Sequence, residues 1–167
     1  AKEGRNSKLR QIHGSQIMFI CPVETPEGQA CGTVLNLALL TTISINVPTY
    51  FIKDEIDRLL TPGVGAAALP VLANGIMMGR TRDPDKFVER FRDRQTRGFI
   101  PRGISIFRNS TDQAVNIVSD GGRLLRPVFC VRPGPGGGLG VIPGKSWDQL
   151  ENEGVIRWID NNEAAEA

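Results

Sequence analysis

One short run, CPVETPEGQACG over Cys21–Gly32, constrains this chain more than any other part of it. It packs two prolines, two glycines and two glutamates into a single loop. Proline fixes φ at about −65°, and glycine reaches backbone conformations that other residues avoid. Because such a loop costs entropy and buries little, it usually exists to hold a few groups in position. The loop alone also leaves open a simpler role, a rigid connector between a strand and a helix.

Composition narrows the class of protein. The chain has 167 residues, of which 40% are hydrophobic and 23% charged, as in ordinary globular domains. No apolar run reaches the roughly 18 residues needed to cross a bilayer, and no signal peptide opens the chain. Three scattered cysteines, Cys21, Cys31 and Cys130, argue against a disulfide framework and fit a reducing compartment. A zinc site is not expected, because there is no C-x-x-C motif and His13 is the only histidine.

Charge is unevenly distributed although the net charge is only +2. The first ten residues carry four basic side chains against Glu3 alone: Lys2, Arg5, Lys8 and Arg10. A basic leader beside a rigid loop indicates a phosphate-rich partner. The arginine-rich stretch from Arg80 to Arg108 is explained equally well as a solvated surface.

The first part of the chain shows several short apolar segments. Gln16–Cys21 has the length and the turn boundaries of a buried strand. Thr33–Leu40 fits a helix or a strand, and its Leu and Ala content favours a helix. Thr41–Val47 alternates apolar and polar residues, which predicts a half-buried strand. Phe51–Leu60 has apolar residues on one helical face and ends before Pro62-Gly63.

The rest of the chain alternates predicted strands with predicted helices. Asn74-Gly75 within Val71–Met78 predicts a hairpin, and Asp83-Pro84 predicts the start of a helix that stops at Gly98. Ser146 is expected to cap a short helix. The remaining predicted segments are the strands Ile104–Arg108, Ala114–Ser119, Leu124–Val131 and Val155–Ile159, and the flexible connector Arg132–Gly144. Together these segments predict an α+β fold, with domain boundaries near residue 46 and within 132–145.

Three candidate catalytic patterns fail on inspection. Gly144-Lys145-Ser146 suggests a phosphate loop, but Leu139 stands where the motif needs glycine. His13 has no evident nucleophile as partner, so a structural or contact role is expected. The carboxylates lack the close spacing of a two-magnesium site. Because the chain also starts at Ala1 without methionine, we expect a fragment, or a partial reading frame, of a larger protein.

A series of short motifs resembles one family over nearly the whole chain. The series begins with Arg10-Gln-Ile-His13, Cys21-Pro, Glu24-Thr-Pro-Glu-Gly28-Gln-Ala-Cys-Gly32 and Asn36-Leu37. It continues with Asn74-Gly75, Arg80, Asp83-Pro84, Arg97-Gly98, Asp120-Gly-Gly-Arg123, Arg126-Pro127, Trp147, Asn152-Glu-Gly154 and Ile159-Asp160. In this order and spacing, the chain resembles the second-largest subunit of multisubunit DNA-directed RNA polymerases. Gln29-Ala-Cys-Gly32 is most similar to the eukaryotic messenger-RNA polymerase and its relatives in large DNA viruses.

The resemblance implies a domain organisation and a set of partners. Residues 1–45 would be a fork-region segment, 46–131 a small mixed α/β external domain, and 132–167 a linker and the start of a following domain. The partners would be the largest subunit and other polymerase subunits, the DNA template, the RNA transcript and nucleoside triphosphates, with no membrane. The enzyme would act in the nucleus, or in the host cell or virion of a virus. Its Mg²⁺ would be bound by other segments, so this chain alone is expected to be inactive.

The resemblance also implies site residues. Arg5 and Lys8, on a fork loop, would contact or steer nucleic-acid phosphates. Arg10 and Gln11 would lie near the RNA–DNA hybrid and the incoming nucleotide. Glu27 would join the polar network that orients the basic groups gripping the triphosphate.

The chain departs from the family pattern in two places. The stretch between Gly4-Arg5 and Arg10 is a few residues shorter than in the nuclear enzyme, and Leu35 stands where relatives usually carry lysine. Such drift suits a divergent or viral polymerase. A function from another class, an autonomous single-stranded nucleic-acid-binding module, is disfavoured because aromatic residues make up only 6% of the chain and form no interleaved stacking platform.

Overall fold

The computed structural model describes residues 7–63, 65, 67–109, 113–131 and 144–165. Of the predicted connector Arg132–Gly144, all but the last residue lies outside these ranges, as do residues 110–112 of the turn after β4. The described part has two sheets with helices beside them, which confirms the predicted α+β class. The strands are β1 (Thr42–Ile43), β2 (Leu69–Ala73), β3 (Ile76–Thr81), β4 (Ser105–Asn109), β5 (Ala114–Val118), β6 (Leu124–Phe129) and β7 (Ile156–Ile159). The helices are α1 (Lys53–Leu59), α2 (Pro84–Thr96), α3 (Trp147–Asn152) and α4 (Asn161–Ala165).

The larger sheet has four strands in the order β3-β2-β5-β4. Its outer pairs are antiparallel, and its central pair, β2 and β5, is parallel. The predicted hairpin joins β2 to β3 through Asn74 and Gly75, whose φ angles of 47° and 79° are those that a two-residue hairpin turn demands. The parallel pairing of β2 with β5 requires a long crossover, and α2 lies within it.

Helices α1 and α2 pack on the larger sheet and form the core with it. Asp83 caps α2 by accepting a hydrogen bond from the Lys86 N–H at 3.0 Å, and Gly98 follows the helix with φ 79°. Both helix boundaries therefore lie where the sequence predicts. The buried core cluster contains Ile52, Ile56, Val71, Ala73, Phe87, Phe91, Ile100, Ile104, Ile106, Val115 and Ile117.

The smaller sheet has the order β1-β6-β7, with both pairs antiparallel. Ser146 and Gln149 form a capping box at the start of α3, so the predicted cap is confirmed. Lys145 pairs with Glu153. The sequence did not predict α4, which packs against β4 and β7.

Among the described residues, none of the helices is both long enough and apolar enough to span a membrane.

Arg123 joins the two sheets. Its guanidinium donates hydrogen bonds to the Gly103 carbonyl at 2.8 Å and to the hydroxyl of Ser105 on β4. It also pairs with Asp160, which follows β7, at 3.1 Å, and with Asp120 in its own turn at 3.0 Å. Because Arg123 directly precedes β6, one side chain links the smaller sheet to the larger one.

The predictions for Gln16–Cys21 as a strand and Thr33–Leu40 as a helix are wrong. Residues 14–19 form a 3₁₀ turn and a further turn, and Met18 has φ 66°, outside the strand region. The second segment runs antiparallel to the first through a single bridge between Ile20 and Leu37. Many apolar side chains of these two segments are exposed, so their apolar pattern does not indicate a helix or strand that faces the core.

The half-buried strand predicted over Thr41–Val47 is mostly wrong. Only Thr42–Ile43 is a strand, and the inward side chain is Ser44 rather than Ile43 or Ile45. The Ser44 hydroxyl donates to the Asp120 carbonyl at 3.0 Å and accepts from the Arg123 N–H at 2.9 Å. The polar residue is buried here because it satisfies the backbone of the turn before β6.

Candidate functional site

Side-chain hydrogen bonds hold the Cys21–Gly32 loop to its own backbone and to the residues that follow it. The Thr25 hydroxyl accepts from the Gly32 N–H at 2.8 Å and donates to the Val34 carbonyl at 3.1 Å. The Asn36 amide donates to the Glu24 carbonyl at 3.3 Å. Sequence reasoning assigned no role to Thr25 or Asn36. The signal that could have found them is the frequency with which short polar side chains bond nearby backbone in turns.

A 3₁₀ turn over Gly28–Ala30 forms the tip of the loop, and Glu27 directly precedes it. Gly28 enters the turn with φ 78°, a conformation that favours glycine. The carbonyls of Gly28 and Ala30 accept from the N–H groups of Cys31 and Thr33, at 3.2 and 3.1 Å. The tip is therefore held by local backbone bonds as well as by Thr25.

The structure leaves the Glu27 carboxylate exposed. Glu27 has extended backbone angles and makes no side-chain cap bond to the turn that it precedes. Within the part of the chain that the structure describes, its carboxylate has no ion-pair or hydrogen-bond partner. A negative charge is thus presented to the outside on a fixed backbone.

The side chain of Arg10, although exposed, is hydrogen-bonded to this loop. Its Nη1 donates to the carbonyls of Gln29 and Cys31 at 2.6 and 2.7 Å. Gly32 lies against the Arg10 backbone so closely that a Cβ there would be 2.6 Å from the Arg10 carbonyl oxygen and 2.8 Å from its Cα. The structure therefore brings Arg10 and the Glu27 loop together.

The other residues predicted for the site, Arg5, Lys8 and Gln11, flank Arg10 in the sequence. Lys8 belongs to the exposed 3₁₀ turn Ser7–Arg10, and Gln11 follows it, also exposed. The Gln11 N–H donates to the Lys8 carbonyl at 3.4 Å. Arg5 lies outside the described residues.

His13 has the structural role expected of it. Its Nδ1 lies 2.8 Å from the Ser15 hydroxyl and 3.2 Å from the Ser15 nitrogen, whose N–H it accepts. Together with Gln16, which accepts from the His13 N–H at 3.3 Å, it forms a capping box at a short 3₁₀ turn. This arrangement orders the backbone between Arg10 and Phe19.

The described residues do not gather the ligands of a metal centre. No group of three or more His, Cys, Asp or Glu side chains within them is placed to hold an ion. Cys21, Cys31 and Cys130 are all free thiols. What the loop offers chemically is the exposed carboxylates of Glu24 and Glu27 with the basic side chain of Arg10 beside it, which can orient charge.

Comparison with known proteins places these features in a family. Residues 1–43 match the family model "RNA polymerase Rpb2, domain 3", and residues 71–132 match "RNA polymerase Rpb2, domain 4". The chain belongs to the second-largest-subunit family of DNA-directed RNA polymerases. The Cys21–Gly32 loop lies within the first matched region of this family, and the larger sheet lies mostly within the second.

Relatives of this family come from cellular organisms and from viruses. The chain is 36% identical over 141 residues, 80% of its length, to DNA-directed RNA polymerase II subunit RPB2 of the yeast Meyerozyma guilliermondii. It is 36% identical over 137 residues, 78% of its length, to DNA-directed RNA polymerase II subunit 2 of Arabidopsis thaliana. It is 34% identical over 180 residues, 98% of its length, to a probable RPB2 homologue of Invertebrate iridescent virus 3. The matches cover only 11%, 12% and 14% of these three relatives.

Proposed function

We propose that this chain forms the part of a second-largest RNA polymerase subunit that lies beside the nucleotide addition site. The whole enzyme would extend RNA on a DNA template by nucleotidyl transfer. Family membership supports the link to transcription. The position beside the active centre is what the resemblance implies, and the geometry of the Cys21–Gly32 loop supports a role in orienting charge there.

One observation carries the proposal: the exposed Glu27 carboxylate, which has no partner among the described residues, lies on a loop held by the hydrogen bonds of Thr25 and Arg10. When a cation binds the Glu27 carboxylate, the loop loses little further conformational entropy, because its backbone is already ordered. A fixed carboxylate can orient arginine or lysine side chains that grip a triphosphate. Phosphoryl and nucleotidyl transfer depend mainly on such positioning and electrostatics. Glu27 would therefore act through the basic groups it orients, without touching the reacting atoms.

The basic leader would provide the contacts with nucleic acid. Lys8 lies on an exposed turn that ends at Arg10, and Arg5 precedes it in the sequence. Both would add salt-dependent affinity for phosphates without reading sequence. Gln11, exposed beside Arg10, would lie near the RNA–DNA hybrid. The partners would be DNA, RNA, nucleoside triphosphates and the other polymerase subunits, in the nucleus or in the host cell or virion of a virus.

The catalytic Mg²⁺ of the whole enzyme would be held elsewhere. Mg²⁺ takes oxygen ligands in octahedral geometry, and the described residues present no carboxylate cluster that fits this requirement. The division into a fork segment over 1–45, an external domain over 46–131 and a following segment over 132–167 is part of the same proposal. Under this division, the chain supplies charge and scaffold to a reaction centre completed by other segments.

The test is the Glu27→Ala substitution in the complete polymerase, with Glu24→Ala as the control. Both glutamates are exposed on the same loop, so the pair is matched for charge and location. Glu27→Ala is expected to change the rate of single-nucleotide addition while subunit assembly is retained, and Glu24→Ala is expected to change it much less. If elongation rate and fidelity both equal wild type in Glu27→Ala, the proposed function of the loop is wrong.

A further inference from the structure

We propose that Arg10 is a positioning residue that clamps the Glu27 loop, and that Gly32 exists to admit this clamp. The inference rests on the proposed function of Glu27 and deepens it. It differs from a direct contact between Arg10 and nucleic acid, since Arg10 would act through the loop.

The hydrogen bonds of the loop tip show what Arg10 supplies. Local N–H groups bond the carbonyls of Gly28 and Ala30, and Arg10 bonds those of the alternate residues, Gln29 and Cys31. Carbonyls at the end of a helical turn lack partners within the turn and favour a cation. A single guanidinium nitrogen thus completes the bonding of the turn that follows Glu27.

The close approach of Gly32 fixes the same contact from the backbone side. A Cβ at Gly32 would lie 2.6 Å from the Arg10 carbonyl oxygen, closer than real Cβ atoms come to backbone. The φ of 76° also favours glycine, so two independent constraints act at this position. Any side chain here would push the Cys21–Gly32 loop away from the Ser7–Arg10 turn.

The hydrogen bonds of Thr25 do not depend on Arg10. Thr25 binds Gly32 and Val34, both on the far side of the turn, and neither bond involves the Ser7–Arg10 turn. Loss of Arg10 would leave the loop closed on itself but free to shift relative to the basic leader. The Glu27 carboxylate would then lose its fixed position while the fold remained intact.

The experiment measures single-nucleotide addition by the complete polymerase, as maximal rate and apparent nucleotide affinity. The variants are Arg10→Ala, Gly32→Ala, Glu27→Ala and the Arg10→Ala/Glu27→Ala double variant. Gly98→Ala is the control for backbone strain, because Gly98 has φ 79° with open space around it and follows α2, away from the loop. It is expected to keep the wild-type rate.

If Arg10 clamps the Glu27 loop, Arg10→Ala and Gly32→Ala should change the maximal rate in the same direction as Glu27→Ala. The double variant should stay within about twofold of Glu27→Ala alone, because residues that act as a unit are not additive. The salt dependence of elongation-complex lifetime should not change in Arg10→Ala. If Gly32→Ala impairs assembly, Arg10→Ala and the double variant still decide the question.

Two results would overturn the clamp, and a third would remove its basis. If the fold-change in maximal rate of the double variant equals the product of the two single fold-changes, Arg10 acts independently of Glu27. A loss of about 0.7–0.9 in the logarithmic salt slope would mean that Arg10 binds a phosphate directly. If Glu27→Ala itself matches wild type, the proposed function fails and the clamp with it. If Glu27→Ala differs and only the Arg10 predictions fail, the proposed function remains.

Discussion

Arg123 shows how one buried side chain can connect separate elements. Its side chain is only 13% exposed, and its partner Asp160 is almost fully buried. Asp160 in turn accepts from the N–H groups of Asn162 and Glu163 at the start of α4, at 2.9 and 3.0 Å. The position of α4 and the junction of the two sheets therefore depend on the same ion pair.

We expect Arg123→Ala to lower the free energy of unfolding by about 3–5 kcal/mol, because it leaves the buried Asp160 charge without its partner. Urea denaturation of the chain, followed by circular dichroism, measures this change. The control is Arg97→Ala, since Arg97 pairs with Asp93 on the exposed surface of α2 and should cost about 1 kcal/mol or less. Equal losses in the two variants would contradict the role given to Arg123.

Glu163 is buried in α4 in an environment that favours its protonated form. Burial raises the pKa of Glu163 to about 7 from its usual 4.5, and Asp160 adds to the rise. Arg157 and Arg92 lower the pKa, but they lie 3.9 and 3.8 Å away and do not offset burial. The N–H of Ile106 also lowers it, while Oε2 has no hydrogen-bond partner among the described atoms.

The raised pKa of Glu163 predicts a specific pH dependence of stability. Between pH 4.5 and 7 the folded chain holds a proton that the unfolded chain has released. Stability from this group is complete below 4.5 and is lost as pH rises to about 7. Urea midpoints at pH 5 and pH 8 should therefore differ less in Glu163→Gln than in wild type. The exposed Glu89→Gln is the control, and an unchanged pH dependence in Glu163→Gln would contradict the assignment.

At the scale of elements, the core depends on α2 and its two buried phenylalanines. Phe87 and Phe91 lie against the four-stranded sheet, and Phe87 is 2% exposed. We expect Phe87→Ala to cost about 3–5 kcal/mol of unfolding free energy, since it opens a cavity in a packed core. Phe51→Ala, on a side chain that is 66% exposed, should cost about 0.5 kcal/mol or less. Similar urea midpoints for the two variants would show that α2 does not anchor the core.

From α1 onward, the turns and helix ends are determined by residues close together in the sequence. Asn74-Gly75 makes the hairpin turn, Asp83 and Ser146 cap helices, and Gly98 and Gly154 end them with positive φ. These signals are local, so the sequence predicts them well. α4 was missed although its start signal is also local: Asp160 accepts from the N–H groups of Asn162 and Glu163, and Asp followed by Glu three residues later is typical of a helix start.

The segment before α1 resisted prediction for the opposite reason. Periodicity assumes that apolar residues face a core within the same chain, yet Leu39 is 99% exposed and Ile45 85%. The order of this segment comes instead from polar contacts such as those of Thr25 and Ser44. For the candidate site, the resemblance indicated Glu27 and Arg10, but only the structure brings Arg10 and Gly32 together.

For the whole molecule, the distribution of exposed apolar side chains fits a part of a larger assembly. Most of the large apolar side chains that are exposed in the described residues fall within 9–51: Leu9, Ile12, Ile17, Met18, Val23, Val34, Leu35, Leu37, Leu39, Leu40, Ile43, Ile45, Tyr50 and Phe51. Extended apolar surfaces of this kind mark contacts with other protein. The same segment carries the Glu27 loop, so we expect the charge-bearing tip to be supported by neighbouring polymerase elements.

In the complete polymerase, we propose that the Glu27 loop lies beside the nucleotide addition site. Photocrosslinking tests it most directly, with 4-thiouridine placed at the RNA 3′ end of an active elongation complex and the adduct mapped by mass spectrometry. We expect an adduct within Cys21–Gly32 or the adjoining Ser7–Gln11, and we expect it to be lost when the probe is moved far upstream in the RNA. An active complex whose 3′-end adducts all fall outside these two segments would contradict the proposal.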